Sequence, residues 1–444
     1  MIRLWDIRDA FEGVIPSVVA TTDARGMPNI SYLSHVHYVD ERHVALSNQF
    51  FSKTSENVRH SGMATVMVVD GRTGQQHILQ LRFANSVGEG ELFDRVAAHL
   101  TVTSAQQGMG EIMKLRSLDI YEVEDCRPVS GPAVPGAREA GQPQHHHLAA
   151  AARICSAISA QVDTELMLDC ALAELQGLLG YGNAMVLVPD GEGTRLSTIA
   201  SRGYSTFGFG SEVAVGEGTA GLAASSRRPL RISDFRRGQR YASAIREAAG
   251  SEAVSPIPFP ALAEPRSQLA VPMLGRARLM GVLFVESERS YAFDHNDEEA
   301  LSLVASQLAT SLLLAEQERP ESTAELQIGH RSSRGAADRS VHVRYFPRDG
   351  GVFFDGEYII RGLSGRLLHH FISTFLATGQ ADFSNRALRR EPSLQLPDFK
   401  DNLETRLILL RRRLEERGGP IQIVRPVRGQ VRLECAGRCE IEVG

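Results

Sequence analysis

The chain has 444 residues, 43% of them hydrophobic and 23% charged, with a formal net charge of −5; that is material for about three globular domains rather than one. No run of about 18 apolar residues occurs, so a membrane-spanning helix is excluded. The opening Met1-Ile-Arg-Leu-Trp-Asp6 puts charge where a signal peptide keeps its apolar region, and the five cysteines are odd in number and scattered, so a reducing cytoplasm is the expected location.

In chain order, residues 15–21, 28–33 and 43–47 read as strands, with Asp23-Ala-Arg-Gly26 as a turn between the first two. Strand, turn, strand, strand is a meander. Two more runs, 64–69 and 77–91, supply enough strands to close a small barrel. Between residues 48 and 57 the chain leaves a strand and starts a helix. Ser52, Lys53 and Thr54 there combine hydroxyls, a cation and free backbone N–H groups, which is suitable chemistry for a phosphate.

The segments VVATTDARGMPNISYL, SNQFFSKTSENV and LQLRFANSVGEGEL together resemble the pyridoxamine 5'-phosphate oxidase-like flavin split barrels, over residues 1–128. The resemblance implies that Ser52, Lys53 and Thr54 hold an FMN phosphate, that Ser47 and Asn48 lie beside it, and that Gln80 contacts the flavin. It also implies a homodimer, because members bind FMN across a two-fold interface. Lys53-Thr54 replaces the family's arginine and lysine, which removes one cation. No C-terminal substrate segment follows Val123, so oxidation of pyridoxamine phosphate is not expected, and no catalytic residue is assigned. His35 and His37 stand two apart and would share one side of a strand. Some relatives bind haem, so haem is the alternative cofactor, with these two as candidate ligands; a plain hydrogen-bonding role is the competing one.

Residues 129–146 and 319–340 lose apolar periodicity and read as linkers. His145-His-His147 sits at the edge of the first and is expected to be solvated. Gly216-Glu-Gly-Thr-Ala-Gly221 spells GxGxxG, but only about eight residues separate it from the strand 230–232, too few for a dinucleotide-fold crossover helix. Together with Arg-Pro-Leu-Arg-Ile-Ser-Asp234 and a late hairpin LAVPM…GVLFVES, the segment resembles the GAF family over residues 147–318. A GAF domain is an α+β fold, and many hold a small molecule between the sheet and covering loops; others only dimerise. The cover is expected from 202–210 and 235–265. Asn296 is expected to cap a helix striped by Leu301, Val304, Leu308 and Leu312.

The last part, 341–444, holds 17 basic and 13 acidic residues, so it is net positive in an otherwise acidic chain. A hairpin turning at Asp355-Gly356 is followed by a helix capped by Ser364 and ending near Gly379, a short helix capped by Ser384, and a long helix 398–417 striped by Leu403, Leu407, Leu410 and Leu414. Residues 421–433 form a basic hairpin. Cys435 and Cys439 could supply two metal ligands, but no second pair lies near, so they are expected to be ordinary thiols and no metal site is assigned. The layout resembles the winged helix-turn-helix of response-regulator transcription factors. That resemblance implies double-stranded DNA as a partner, read by Asn402, Thr405, Arg406, Leu409, Arg412 and Arg413 on the long helix, with Arg425 and Arg428 on the wing. The competing reading makes Arg411 to Arg413 a solvated helix end.

The expected fold is therefore multidomain: a split β-barrel (all-β/α+β), an α+β GAF domain and a winged helix-turn-helix. The expected function is a cytoplasmic one-component transcription regulator that couples a flavin-type barrel and a GAF ligand domain to DNA binding. The alternative is an FMN-dependent oxidoreductase with regulatory and interaction domains downstream.

Overall fold

The computed structural model describes residues 2–11, 15–33, 36–48, 53–106, 115–129, 147–234, 257–317, 340–394, 403–427 and 429–444. A short 3₁₀ helix, Leu4–Phe11, leads into a seven-stranded antiparallel sheet. Its strands are β1 (Ser17–Thr22), β2 (Pro28–Leu33), β3 (Val36–Tyr38), β4 (His43–Asn48), β5 (Met63–Val69), β6 (Gln76–Val87) and β7 (Ser117–Pro128), in the order β2-β1-β5-β6-β7-β4-β3. Alternation explains the layer: Val19, Val66, Val68, Leu79 and Leu81 point inward and are buried, while their neighbours on each strand face outward. β2 and β3 end the ladder and do not pair with each other, so the sheet is not hydrogen-bonded into a closed barrel. Helix α1 (Lys53–Ser61) covers β1, and α2 (Glu91–Gln106) follows β6. The expected run 77–91 thus ends early, because its last residue already opens a helix.

The middle sheet has the order β10-β9-β8-β13-β12-β11, built from β8 (Asn183–Pro189), β9 (Arg195–Arg202), β10 (Glu212–Ala214), β11 (Leu230–Ile232), β12 (Ser267–Gly275) and β13 (Arg278–Ser287). It is buried on both faces. Val186, Val188, Leu269, Val271, Leu283 and Val285 pack on α3 (His147–Ser159), α4 (Thr164–Leu179) and α6 (His295–Gln317). Met185, Leu187, Ala270, Val282 and Phe284 face α5 (Gly218–Ser226). All four residues of the expected α6 stripe are buried. The cap is Asp294 rather than Asn296: its Oδ1 accepts from the N–H groups of Asn296 at 2.8 Å and Asp297 at 3.2 Å. The glycine motif is a turn. Gly216 and Gly218 have φ of +94° and +60°, and a Cβ on Gly221 would lie 2.2 Å from the Ala214 carbonyl oxygen, so glycine is needed there for backbone approach.

The third part pairs a four-stranded sheet, β16-β15-β14-β20, with a three-stranded one, β17-β19-β18. In chain order it runs β14 (Ser340–Phe346), β15 (Gly351–Phe354), β16 (Glu357–Ile360), α7 (Gly362–Thr378), β17 (Asp382–Ser384), α8 (Asn385–Leu388), α9 (Leu403–Arg417), β18 (Ile421–Val424), β19 (Gln430–Cys435) and β20 (Arg438–Val443). Asp355 and Gly356 both take positive φ in the expected hairpin turn. Gly379 ends α7 in the left-handed conformation, and Ser384 caps α8 by accepting from the Ala387 N–H. Ser364 does not cap α7; it is buried inside the helix and donates to the Arg406 carbonyl. Strand β20 was not expected, since its parallel pairing with β14 joins opposite ends of the domain.

Candidate functional site

In the N-terminal domain the structure brings Thr54 to β2. Its Oγ1 accepts from Asn29 Nδ2 at 3.0 Å and shares a 2.7 Å hydrogen bond with Ser31. Lys53, the first residue of α1, is exposed. The Met27 N–H, then the Arg25 N–H and the Lys53 charge hold the Asp23 carboxyl below its ordinary range. Asn48 donates to Ser55 at 3.2 Å, and Ser47 is buried. Gln80 lies apart from this group, on the outward sheet face, where its Oε1 accepts from Thr65 at 2.9 Å. Around that pair the face is apolar, with Val18, Ala20, Met67 and Ile78 half-buried and Ile30 and Tyr32 exposed by 69% and 79%. An ammonium beside a helix N-terminus fits a phosphate, and an apolar sheet face with one amide fits a flat heterocycle. Ser52 and His35 lie outside the described residues. His37 faces His99, ring centroids 6.2 Å apart, beside the 280 Å³ cavity between this domain and the middle one.

The contact between these two domains is polar. Asp9 meets the His295 ring at 2.5 Å and Arg72 at 3.1 Å. Burial works against its charge, but the His295 hydrogen bond and the Arg231 and Arg72 charges hold its carboxyl well below the usual range. Of the three histidines expected to be solvated, His147 is instead paired with Asp297 at 3.0 Å, while 145 and 146 lie outside the described residues.

On the α5 side of the middle sheet, Glu286 is buried at 2% exposure and accepts from the Leu262 N–H at 2.8 Å and Gln268 at 3.0 Å. Burial raises its carboxyl, against those two bonds. Gln268 accepts from Thr219 at 2.6 Å. Tyr204 stands beside Glu286 with its hydroxyl buried; burial, then the Glu286 charge and the interaction with its carboxylate, push the phenol far above its ordinary range. Tyr204 belongs to the segment 202–210, one of the two expected covers. Most of the other, 235–256, lies outside the described residues.

Five of the residues expected to read DNA are not on the surface. Thr405, Arg406, Leu409, Arg412 and Arg413 are all buried, with at most 9% exposed, because α9 lies against the middle domain. Arg412 donates to Glu165 at 2.8 Å, to Asp169 at 2.8 Å and to the Ile199 carbonyl at 3.0 Å. Arg411 pairs with the same Glu165, and Arg406 donates to the Pro189 carbonyl. Arg413 turns back to the carbonyls of Tyr358 and Ile359. At the far end of α9, Glu416 accepts from the N–H groups of Gly208 at 2.7 Å and Phe209 at 3.1 Å, beside a cavity of 480 Å³. Ile408 and Leu409 belong to one apolar core that continues between the two domains. Arg425 pairs with Glu404 and Asp163, and Arg432 with Asp382. Asn402 and Arg428 lie outside the described residues. In this arrangement α9 makes neither a solvated helix end nor a DNA-facing surface. The partners Glu165, Asp169 and Glu416 were missed because charge pairing across domains leaves no local pattern; the apolar Ile408 and Leu409 were the one available signal.

Residues 163–312 match the family model for the GAF domain, and residues 6–123 that for pyridoxamine 5'-phosphate oxidase. The chain carries a GAF domain behind a pyridoxamine 5'-phosphate oxidase-like domain. Similar solved structures include the GAF domain of an Acinetobacter phosphoenolpyruvate-protein phosphotransferase, 20% identical, covering 39% of this chain and 97% of that one at a TM-score of 0.33. An FMN-binding protein from Syntrophomonas wolfei is 19% identical over 29% of this chain and 87% of its own, TM-score 0.25. The free methionine-R-sulfoxide reductase of Neisseria meningitidis, in complex with its substrate, is 20% identical over 38% and 90%, TM-score 0.31. No curated protein matches. Among the described residues no helix is long and apolar enough to cross a membrane.

Proposed function

We propose that this protein is a sensory transcription regulator. FMN in the pyridoxamine 5'-phosphate oxidase-like domain and a small molecule in the GAF domain would set whether a C-terminal winged helix is free to bind double-stranded DNA. The observation that carries this reading is the grip of Glu416 on the Gly208 and Phe209 N–H groups. These lie in the loop over the GAF apolar face, so a ligand that shifts that loop also shifts α9. The order helix, strand, helix, helix, hairpin, with β17 paired to β19, supports the winged-helix assignment, as does the surplus of basic residues.

Lys53, the N–H groups opening α1 and Ser52 would hold the FMN phosphate, with Gln80 toward the ring. When bound, the flavin supplies one- or two-electron redox chemistry. Exposed Ile30 and Tyr32 support a homodimer through the outward sheet face. The docked α9 would be the DNA-free state, and release a population shift.

Ile408 and Leu409 favour a second reading, in which the C-terminal domain is a fixed interaction module of an FMN-dependent oxidoreductase, since exposing each costs about 1.5–3 kcal/mol. The test is the visible spectrum of the purified protein together with a duplex DNA titration at two salt concentrations. A flavin band that is lost in Lys53→Ala, with DNA affinity falling steeply in salt, supports the regulator. Flavin turnover without DNA binding selects the second reading, and a colourless protein that ignores DNA sinks both.

A further inference from the structure

The loop between β9 and β10 of the GAF domain is tied down by its own bonds. The Phe207 carbonyl accepts from the Ser201 hydroxyl at 2.6 Å, the Gly208 carbonyl accepts from the Ser211 N–H at 2.9 Å, and the Gly210 N–H donates to the Thr198 carbonyl at 3.0 Å. Gly208 takes a φ of +62°, and a Cβ there would lie 2.5 Å from the Pro260 ring, so the turn is also wedged against the segment after Ile257. Two successive N–H groups, those of Gly208 and Phe209, are left for the C-terminal domain, and each donates to a different oxygen of the Glu416 carboxylate. Successive backbone N–H groups in a turn make an anion-binding concavity. Arg413 adds its guanidinium 3.4 Å from the same carboxylate. The adjoining cavity of 480 Å³ is lined by Glu416, Arg413, Arg417 and Glu357 and by the apolar Ile257 and Pro258, and it shares no lining residue with the Glu286 cluster. That volume falls in the range usual for small-molecule sites. Arg413 pairs with Glu416 and Arg417 with Glu357, so withdrawing Glu416 leaves one positive charge uncompensated.

We propose that the Gly208 and Phe209 N–H groups together with Arg413 are a receptor for a small carboxylate with an apolar body, which Glu416 occupies as a built-in competitor. The ligand carboxylate takes both N–H bonds, Glu416 turns out to solvent, and the ligand body lies on Ile257 and Pro258. A carboxylate is the class that fits, because the site already holds one across its two N–H groups with a guanidinium beside it. Displacing Glu416 removes one tie between α9 and the GAF domain. In that consequence the inference rests on the docked α9 of the proposed function and names the chemistry of an effector that loosens it; the binding itself requires neither flavin nor DNA.

The experiment titrates sodium benzoate, with benzamide as its uncharged counterpart, into the full-length chain at constant ionic strength and follows hydrogen exchange of the loop and of α9. Wild type is compared with Glu416→Ala and with Glu416→Gln, which keeps the side-chain volume; if Glu416→Ala does not fold, the same comparison is read on Glu416→Gln. Because Glu416 fills the site for most of the time, its removal should tighten benzoate binding roughly tenfold or more. Glu416→Gln should fall between the two, and benzamide should not bind. In wild type, saturating benzoate should speed exchange at the end of α9 while the Gly208 and Phe209 amides stay protected. In Glu416→Ala those two amides should lose protection and regain it with benzoate. The proposal is overturned by equal benzoate affinity in wild type and both variants, by no binding in any of the three, or by benzamide binding as well as benzoate. Benzoate binding that leaves the two amides of Glu416→Ala unprotected overturns it equally. None of these failures alters the DNA titration, so they are distinguishable from failure of the regulator reading.

Discussion

Replacing Glu165 by glutamine should release α9 from the GAF domain without touching α9 itself. Glu165 opens α4, is 8% exposed, and receives both Arg411 and Arg412. Removing one partner of a buried ion pair costs about 3–5 kcal/mol because the other charge stays buried. Here the loss is smaller: Arg412 keeps Asp169, whose side chain is 58% exposed, and the Ile199 carbonyl, while Arg411 is itself 25% exposed. That leaves about 2–3 kcal/mol, a shift of roughly 30- to 150-fold toward the undocked state. Hydrogen exchange of the full chain would read it: amides of α9, of the start of α4 and of the 203–210 loop should exchange faster together, while the N-terminal sheet is unchanged. A double-mutant cycle with Arg412→Ala should give a coupling well above 0.5 kcal/mol, the scatter of independent sites. Unchanged protection in Glu165→Gln, or additive effects in the cycle, would refute the docking argument.

Three further outcomes are expected. Because the Glu286 carboxyl is raised by burial, the folded state binds its proton more tightly than the unfolded chain, so wild-type stability grows as pH falls through that raised value. Glu286→Gln should therefore be relatively more stable at pH about 7 and lose its advantage toward pH about 4, read as thermal midpoints across that range; a pH-independent difference would contradict it. Gly221→Ala should cost about 1–3 kcal/mol by overpacking against the Ala214 carbonyl, seen as a lower midpoint in denaturant, and a neutral effect would show the close approach to be unimportant. Lys53→Ala should weaken FMN binding about tenfold or more, the worth of one charge-assisted hydrogen bond, measured by flavin fluorescence quenching; unchanged affinity would remove Lys53 from the site.

The first two domains were readable because each leaves a local signature. In the first domain, strands alternate and a hydroxyl-and-cation run opens α1. In the GAF domain, Gly216 to Gly221 and the β12–β13 hairpin stand in order, and in the C-terminal part Leu403 to Leu414 stripe α9. What could not be read is non-local. β20 finds β14 almost a hundred residues upstream, and α2 begins at Glu91 within what looked like a continuing strand. Arg412 carries the same helix-end charge whether it meets water, phosphate or Glu165, so its burial is set by tertiary contact rather than by sequence pattern. The Asp294 cap shows the same limit at short range, since Asn296 two residues later has equal capping chemistry.

The measurement that tests the central claim most directly is the affinity of the full-length protein for duplex DNA, in wild type and Glu165→Gln, at low and high salt. The account predicts weak wild-type binding and a gain of roughly 30-fold or more in the variant, with affinity in both falling steeply as salt rises. Equal affinities, or no salt-dependent binding in either protein, would contradict a DNA-binding output held in check by the GAF domain.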